Sequence, residues 1–321
     1  MKHTTRTHRR RGAAAAAVAS LLLLGACAGD DLASDDDGGS DGSDQDRGAV
    51  TLASQNFPEA TLVTAMYEEV LDDAGYDVTT RLVGTRAVYM AEFPGDVDIV
   101  PEYVAGISDH LNTTANGADA EPITTNDPTE SIEAATPLLE DAGITLLTPS
   151  DATSQNAYFI TAERAEADGI TALSDLEGEP TVLAAAPDCE GRDDCEKGLR
   201  ETYGIDVTKL LPLGYGSPET YKAVLDGEAD LGQTGTLDGT LEEQGLVLLE
   251  DDRGIQPAQN LVPAVSTEFL EANPDVQGLL EDLMAALDND TLAGLIQEVS
   301  VDRAKPEDVA ERFLEEEGLV S

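Results

Sequence analysis

From residue 49 to 265 the chain alternates short apolar runs with longer stretches of helical periodicity, and this alternation admits few architectures. Residues 49–53 read as a strand. A helix follows from Pro58, with Leu62, Met66 and Val70 on one row, Val63, Tyr67 and Leu71 on the next, and Gly75 where helices close. Residues 76–83 return as a strand and complete a βαβ unit. The spacing then predicts a helix over 84–93 and a strand over 97–100 running into Pro101, Glu102 and Tyr103. A helix over 129–142, kinked at Pro137 and closed by Gly143, leads to a strand over 144–147. Near 151–156 the rhythm restarts. Strands are expected over 157–161, 181–186, 207–213, 229–233, 246–249 and 260–265, with helices over 192–203 and 218–225. The C-terminal part reads as helices alone, over 275–287, 291–299 and 306–317. Strands alternating with helices imply mostly parallel sheets covered by helices, and two such runs imply two α/β lobes. No repeat of solenoid length is visible.

Ahead of this part, Arg9-Arg10-Arg11 precedes an apolar stretch and the residues Leu24-Gly25-Ala26-Cys27. Basic segment, apolar core and small residues make up a secretory signal. Ending in cysteine, the segment resembles a bacterial lipobox, in which that cysteine is lipidated and becomes the mature N-terminus. An ordinary signal with an incidental cysteine, or an uncleaved anchor, is the alternative. Residues 1–26 are thus expected to be a lipoprotein signal peptide, Cys27 the lipidation site, and the rest an extracytoplasmic domain tethered to the cell membrane. Residues 27–48 are mostly Asp, Gly and Ser and read as a flexible acidic linker, reaching roughly 25 Å. No other apolar run approaches the ~20 residues needed to span a bilayer.

Losing residues 1–26 removes Lys2, Arg6, Arg9, Arg10 and Arg11 and no acid, so the net charge falls from −47 to −52. Such a field repels nucleic acid and anionic lipid, and no nucleic-acid partner is expected. With Cys27 assigned to the lipobox, Cys189 and Cys195 remain. In an oxidising compartment two cysteines six positions apart are expected to form a small disulfide loop. Zinc would need further ligands, and no histidine or third cysteine lies nearby, so no metal is expected.

Catalytic patterns are missing. After residue 26 the only histidine is His110, without an evident nucleophile partner. Gly214-Tyr215-Gly216-Ser217-Pro218 has the wrong order for a nucleophile elbow, and neither a phosphate-binding loop nor a dinucleotide fingerprint follows a strand. No cofactor and no enzymatic activity are expected. What remains is recognition. The chain has no tryptophan and only eight tyrosines and five phenylalanines, so their placement carries weight. Tyr103 follows a strand end, Tyr158 lies at the restart between the lobes, and Tyr215 and Tyr221 flank a loop-to-helix junction. In sheets of this kind ligands sit beyond the carboxyl ends of the strands. Tyrosines converging there suit a quaternary ammonium held by cation–π attraction. Core packing is the alternative for each.

Ser54-Gln55-Asn56-Phe57-Pro58-Glu59, Gly84-Thr85 and Val97-Asp98-Ile99-Val100-Pro101-Glu102-Tyr103 resemble the first lobe of glycine betaine/carnitine/choline (OpuAC-type) substrate-binding proteins of ABC importers. Asn156-Ala157-Tyr158 is similar to that family's crossing into the second lobe. Tyr221-Lys222-Ala223 with Asp230 and Asp238 is similar to its second-lobe stretch, and residues 249–263 to its return. The likeness covers about 50–319, and Pro187–Cys195 looks like the cysteine-bearing version of actinobacterial members.

The resemblance implies a type II periplasmic-binding fold, with lobe I over 49–152 plus 258–321 and lobe II over 153–257. It implies an extracytoplasmic receptor, expected as a monomer, that delivers a small zwitterionic or cationic solute of the glycine betaine, choline or carnitine class to ABC permease subunits. Alternatives are a receptor for another small polar metabolite, or a cell-envelope enzyme or sensor without transport. The implied ligand-binding residues are Asn56, Thr85, Tyr103, Tyr158, Arg192, Tyr215, Tyr221 and Asp238. Arg192 occupies the family's arginine position, and a bidentate fork suits a carboxylate. Three positions depart from the pattern: Ala60 after Glu59, Gly106 where a hydroxyl is usual, and Gly235 in place of a tyrosine. A cage wall is therefore expected to be missing unless Tyr215 replaces it.

Overall fold

The β-branched and apolar run Ala49–Gln55 forms β1 of a computed structural model that describes residues 47–321. The expected signal peptide, the Cys27 lipidation site and nearly all of the expected linker lie outside the described residues. Proline at the first helical position starts α1 (Pro58–Asp73), and Gly75 in a positive-φ turn sends the chain into β2 (Asp77–Val83). Then come α2 (Arg86–Met90), β3 (Ile99–Tyr103), α3 (Val104–Asn116), α4 (Pro128–Ala142) and β4 (Ile144–Leu146). After a crossing segment the order is β5 (Asn156–Thr161), α5 (Ala162–Asp168), β6 (Pro180–Ala185), α6 (Glu196–Glu201), β7 (Asp206–Pro212), α7 (Pro218–Leu225), β8 (Leu231–Gly235) and β9 (Leu246–Leu249). A second crossing returns to β10 (Leu261–Ser266), followed by α8 (Thr267–Ala272), α9 (Asp275–Ala285), α10 (Asn289–Ser300) and α11 (Pro306–Glu317).

Two five-stranded sheets result, ordered β2-β1-β3-β10-β4 and β7-β6-β8-β5-β9. β1, β2 and β3 pair in parallel, as do β6, β7 and β8. β10 is antiparallel to both β3 and β4, and β5 to both β8 and β9. Each sheet is therefore mixed in its pairings, although one strand alone runs against the rest. That strand is the first after a crossing, so the reversal is where each lobe receives the chain from the other. The two crossing segments run side by side, with Thr153 bridged antiparallel to Asn260 and Ser154 N–H donating to the Gln259 carbonyl at 3.0 Å.

The inner strands β3, β10, β5 and β8 are buried on both faces, which explains why they read as apolar runs, while the edge strands β2 and β7 are largely exposed. Val50, Leu52 and Ile99 pack with α1 and the C-terminal helices through Met66, Tyr67, Leu280, Leu283 and Phe313. The alternate positions Ala53 and Val100 pack with Tyr89, Ile107 and Leu139 on the opposite face. In the second sheet Tyr158 and Ile160 face one cluster and Phe159 the other. The helical tail thus covers one face of the first sheet.

Some expectations fail locally. α3, α5 and α8 carried no helical signal that was read. α3 does carry an apolar row at helical spacing, Val104, Ile107 and Leu111, interleaved on its buried side with the small and polar Ala105, Ser108 and Asn112. The helix expected over 192–203 begins only at Glu196, because Arg192 to Cys195 are tied into turns closed by the Cys189–Cys195 bond. α4 continues through Pro137.

Candidate functional site

The loop leaving β1 places Glu59 in the first turn of α1, where the helix N-terminus favours an anion. Its carboxylate accepts hydrogen bonds from the Tyr103 hydroxyl and from Ser154 Oγ, the latter at 3.1 Å. Tyr103 ends β3 and Ser154 lies on the crossing segment, so one carboxylate joins helix start, strand end and hinge. Burial pushes the Glu59 carboxyl above its usual range, and the two hydrogen bonds only partly offset this. The Tyr103 phenol is pushed well up by burial and by the adjacent Glu59.

On the second lobe, Asp238 follows the end of β8. It accepts from Tyr221 Oη at 2.5 Å, Thr234 Oγ1 at 2.7 Å, Thr240 Oγ1 at 2.7 Å and the Thr240 N–H at 3.1 Å. These donors outweigh burial and hold its carboxyl below the usual value. Tyr221, on α7, rests its ring against Phe159 at 5.4 Å between centroids.

Tyr215 sits between two positive-φ glycines, Gly214 and Gly216, and the Gly216 N–H donates to the Gln233 carbonyl on β8 at 3.1 Å. A side chain at position 235 would meet the Tyr215 hydroxyl well inside contact distance. Gly235 is thus the space that hydroxyl occupies, and Tyr215 stands where the resemblance led one to expect another tyrosine. The Tyr215 side chain is half exposed, at 50 %. Burial of its phenol end, and after it the charges of Glu59 and Asp238, raises its pKa to about 12. Of the sequence-derived residues, Tyr221 and Asp238 are bonded to each other, Tyr103 is bonded to Glu59, and Tyr215 beside Gly235 is subject to the charge of both carboxylates.

Tyr158 and Arg192 lie in a different constellation. Tyr158 is 1 % exposed and donates to the Asp194 carbonyl at 3.0 Å. Arg192 grips Asp194 through Nε at 2.8 Å and Nη2 at 2.5 Å, and Asp188 through Nη1 at 3.0 Å. Asn156 Nδ2 reaches the same Asp194 carboxylate at 3.0 Å. This loop faces a cavity of about 490 Å³ bounded across from it by Asp109, Thr124 and Asn126. The Arg192 fork is engaged by its own loop. Asn56 and Thr85 are exposed at the ends of first-lobe strands, Thr85 as the N-cap position of α2.

Gly106 has its own reason. A Cβ there would strike the Arg86 guanidinium, whose Nε and Nη2 bind both oxygens of the fully buried Glu102 at 2.7 and 3.0 Å. Tyr89 donates to the same carboxylate, and Glu102 also accepts the Tyr103 N–H at 3.0 Å. The pair braces the backbone that carries Tyr103. Sequence reasoning missed Glu59, Ser154 and Arg86. Only Glu59 had a readable signal, an acid directly after a helix-starting proline.

A cavity of about 580 Å³ between residues 236–248 and α10 contains no tyrosine. Among the described residues no group of three His, Cys, Asp or Glu could hold a metal ion, and no helix is long and apolar enough to cross a membrane.

Residues 48–316 match the family described as the substrate binding domain of ABC-type glycine betaine transport systems. A glycine-betaine-binding protein of Pseudomonas aeruginosa is 28% identical over 284 residues, covering 84% of this chain and 88% of that one. An ergothioneine transport permease/ergothioneine binding protein of Helicobacter pylori is 28% identical over 245 residues, covering 74% of this chain and 41% of that longer one. The solved apo structure of YehZ from Escherichia coli superposes with a TM-score of 0.72 at 25% identity, covering 85% of this chain and 99% of that one.

Proposed function

We propose the ligand and its handling from one premise: this chain belongs to the family of substrate binding domains of ABC-type glycine betaine transport systems. It is a two-lobed α/β receptor that delivers a solute to an ABC transporter. Its solute is a small quaternary ammonium of the glycine betaine, choline or carnitine class. One observation carries this reading. Tyr103 is bonded to Glu59 and Tyr221 to Asp238, while the Tyr215 hydroxyl occupies the space left at Gly235 under the charge of both carboxylates. A quaternary ammonium has no N–H to donate, so it is recognised by aromatic faces and negative charge rather than by hydrogen bonds, with ~2 kcal/mol or more per desolvated cation–π contact.

Lobe I comprises 49–152 plus 258–321 and lobe II 153–257, and the solute sits between them. The protein works outside the cytoplasm as a monomer, held to the membrane by lipid on Cys27 after removal of residues 1–26. Residues 27–48 let it reach the permease subunits, and Cys189 and Cys195 are bonded in that compartment. It catalyses no reaction. Asn56, Thr85, Tyr158 and Arg192 remain candidate contacts, and of these Arg192 must leave Asp194 to serve.

Calorimetric titration of the mature chain with glycine betaine, choline, carnitine and ergothioneine tests the ligand class. Binding to at least one, lost about ten-fold or more in Tyr103→Ala and in Tyr215→Ala, is the expected result. No heat with any trimethylammonium compound removes the reading.

A further inference from the structure

The geometry points to a ligand of net positive charge and without a carboxylate, rather than the zwitterion for which the family is named. The inference rests on the site proposed above and concerns which member of the quaternary ammonium class it selects.

A zwitterion brings an anion that must be received. Carboxylates are best received by a bidentate guanidinium, and both the arginine that braces Tyr103 and the one that the resemblance assigns to the ligand are occupied. Arg86 spends Nε and Nη2 on Glu102, whose side chain is fully buried and would be left unpaired by any competitor. Arg192 spends Nε and Nη2 on Asp194 and Nη1 on Asp188. Lys222, next to Tyr221 in sequence, pairs with Asp226. His110 is held below its usual pKa by burial and by Arg86, which disfavours its charged form.

The groups that do line the site are anionic or phenolic. Glu59 is bonded to Tyr103, Asp238 is bonded to Tyr221, and the charges of both carboxylates add to burial in raising the Tyr215 phenol. The hydrogen bonds Glu59 receives come from neutral hydroxyls, and Asp238 receives its own from hydroxyls and one backbone N–H. Neither carboxylate has a cationic partner among these bonds. A trimethylammonium supplies it, and a second anionic end placed beside two carboxylates would oppose it. The net charge of −47 adds in the same direction, concentrating cations around the protein but not zwitterions.

Choline and glycine betaine share the trimethylammonium and differ in carrying a hydroxymethyl or a carboxylate. Titrating the mature chain with both, and with tetramethylammonium as the bare cation, reads the selection directly at low ionic strength and pH 7.5. Choline is expected to bind at least ten-fold more tightly than glycine betaine. Glu59→Gln and Asp238→Asn, checked for folding by circular dichroism, should weaken choline by more than they weaken betaine. Glycine betaine binding as tightly as choline or tighter, with its affinity lost in Arg192→Ala, overturns this inference and leaves the quaternary ammonium reading intact. Absence of binding by choline, tetramethylammonium and glycine betaine overturns this inference, and absence of binding by carnitine and ergothioneine as well overturns both.

Discussion

A methyl group at position 235 would overlap the Tyr215 hydroxyl, while the ring carbon bearing that hydroxyl lies 3.5 Å away, an ordinary contact. Gly235→Ala should therefore expel the Tyr215 side chain and weaken solute binding about ten-fold with little change in secondary structure. Removing the hydroxyl as well, in Gly235→Ala with Tyr215→Phe, clears the overlap and should recover most of the lost melting temperature. Calorimetry and thermal unfolding of the single and double variants check this, and a double variant no more stable than Gly235→Ala refutes it. Glu59 makes a second residue-level case. Its carboxyl is raised mainly by burial, so the folded protein holds that proton to higher pH than the unfolded chain. The unfolded chain binds fewer protons in that window, so the stability associated with Glu59 is full below its ordinary value of 4.5 and is lost as pH rises through the folded-state value. Glu59→Gln should then raise the melting temperature of the ligand-free protein by a few degrees at pH 7, and the gain should vanish in acid. A lower melting temperature at pH 7 would show that the charge is compensated by something else.

Among the elements, the loop closed by Cys189 and Cys195 does more than end a strand. Both cysteines are fully buried. The Asp194 carbonyl between them accepts Tyr158 Oη at 3.0 Å and Gln256 Nε2 at 2.7 Å, so the loop ties β5 to the returning crossing segment. Cys189→Ser with Cys195→Ser should cost about 2 kcal/mol, the loop-closure value for a ring this short. Denaturant titration measures it, and mass spectrometry after alkylation should find no free thiol in the natural protein. The same loop shows where legibility ended. The limits of α7, β9 and α11 agree with the spacing because local chemistry sets them: Pro218 behind the Ser217 cap, and Pro306 and Gly318 around α11. α6 was drawn four residues too early, since the bond that occupies Arg192 to Cys195 is not a matter of periodicity. α3 starts directly where β3 ends, with no capping side chain to mark where its apolar row Val104, Ile107 and Leu111 begins. Gly235 and Gly106 read as losses in the sequence, yet each is the room for a side chain distant along the chain, Tyr215 and Arg86. Glu59 was one acid among sixty-five acidic residues, and only its place against Tyr103 and Ser154 singles it out.

At the scale of the whole molecule, the candidate site is divided. Glu59 and Tyr103 stand on the first lobe, Tyr215, Tyr221 and Asp238 on the second, and Ser154 on the crossing segment between them. A solute that touches both halves favours the arrangement that brings them together, and only by its difference in affinity for the two arrangements. Only the two crossing segments over 147–155 and 250–260 connect the sheets covalently. Gln155 Nε2 donates to the Pro257 carbonyl at 2.7 Å and the Leu261 N–H to the Ala152 carbonyl at 3.0 Å, so the crossing segments move as a bonded pair. Small-angle scattering of the mature chain should thus show a smaller radius of gyration at saturating solute. Solute at a hundred times its dissociation constant should add about 2.7 kcal/mol to the stability of the folded state. Tyr215→Ala separates binding from closure. It leaves Glu59 and Tyr103 in place to hold a cation on the first lobe, but it removes the phenol whose pKa is raised by burial and by both carboxylates. The variant should bind at least ten-fold more weakly and, even when saturated, show no compaction. If saturated Tyr215→Ala contracts as far as the natural protein, closure is driven by contacts other than this tyrosine, and the permease would be reading a signal set elsewhere in the cleft.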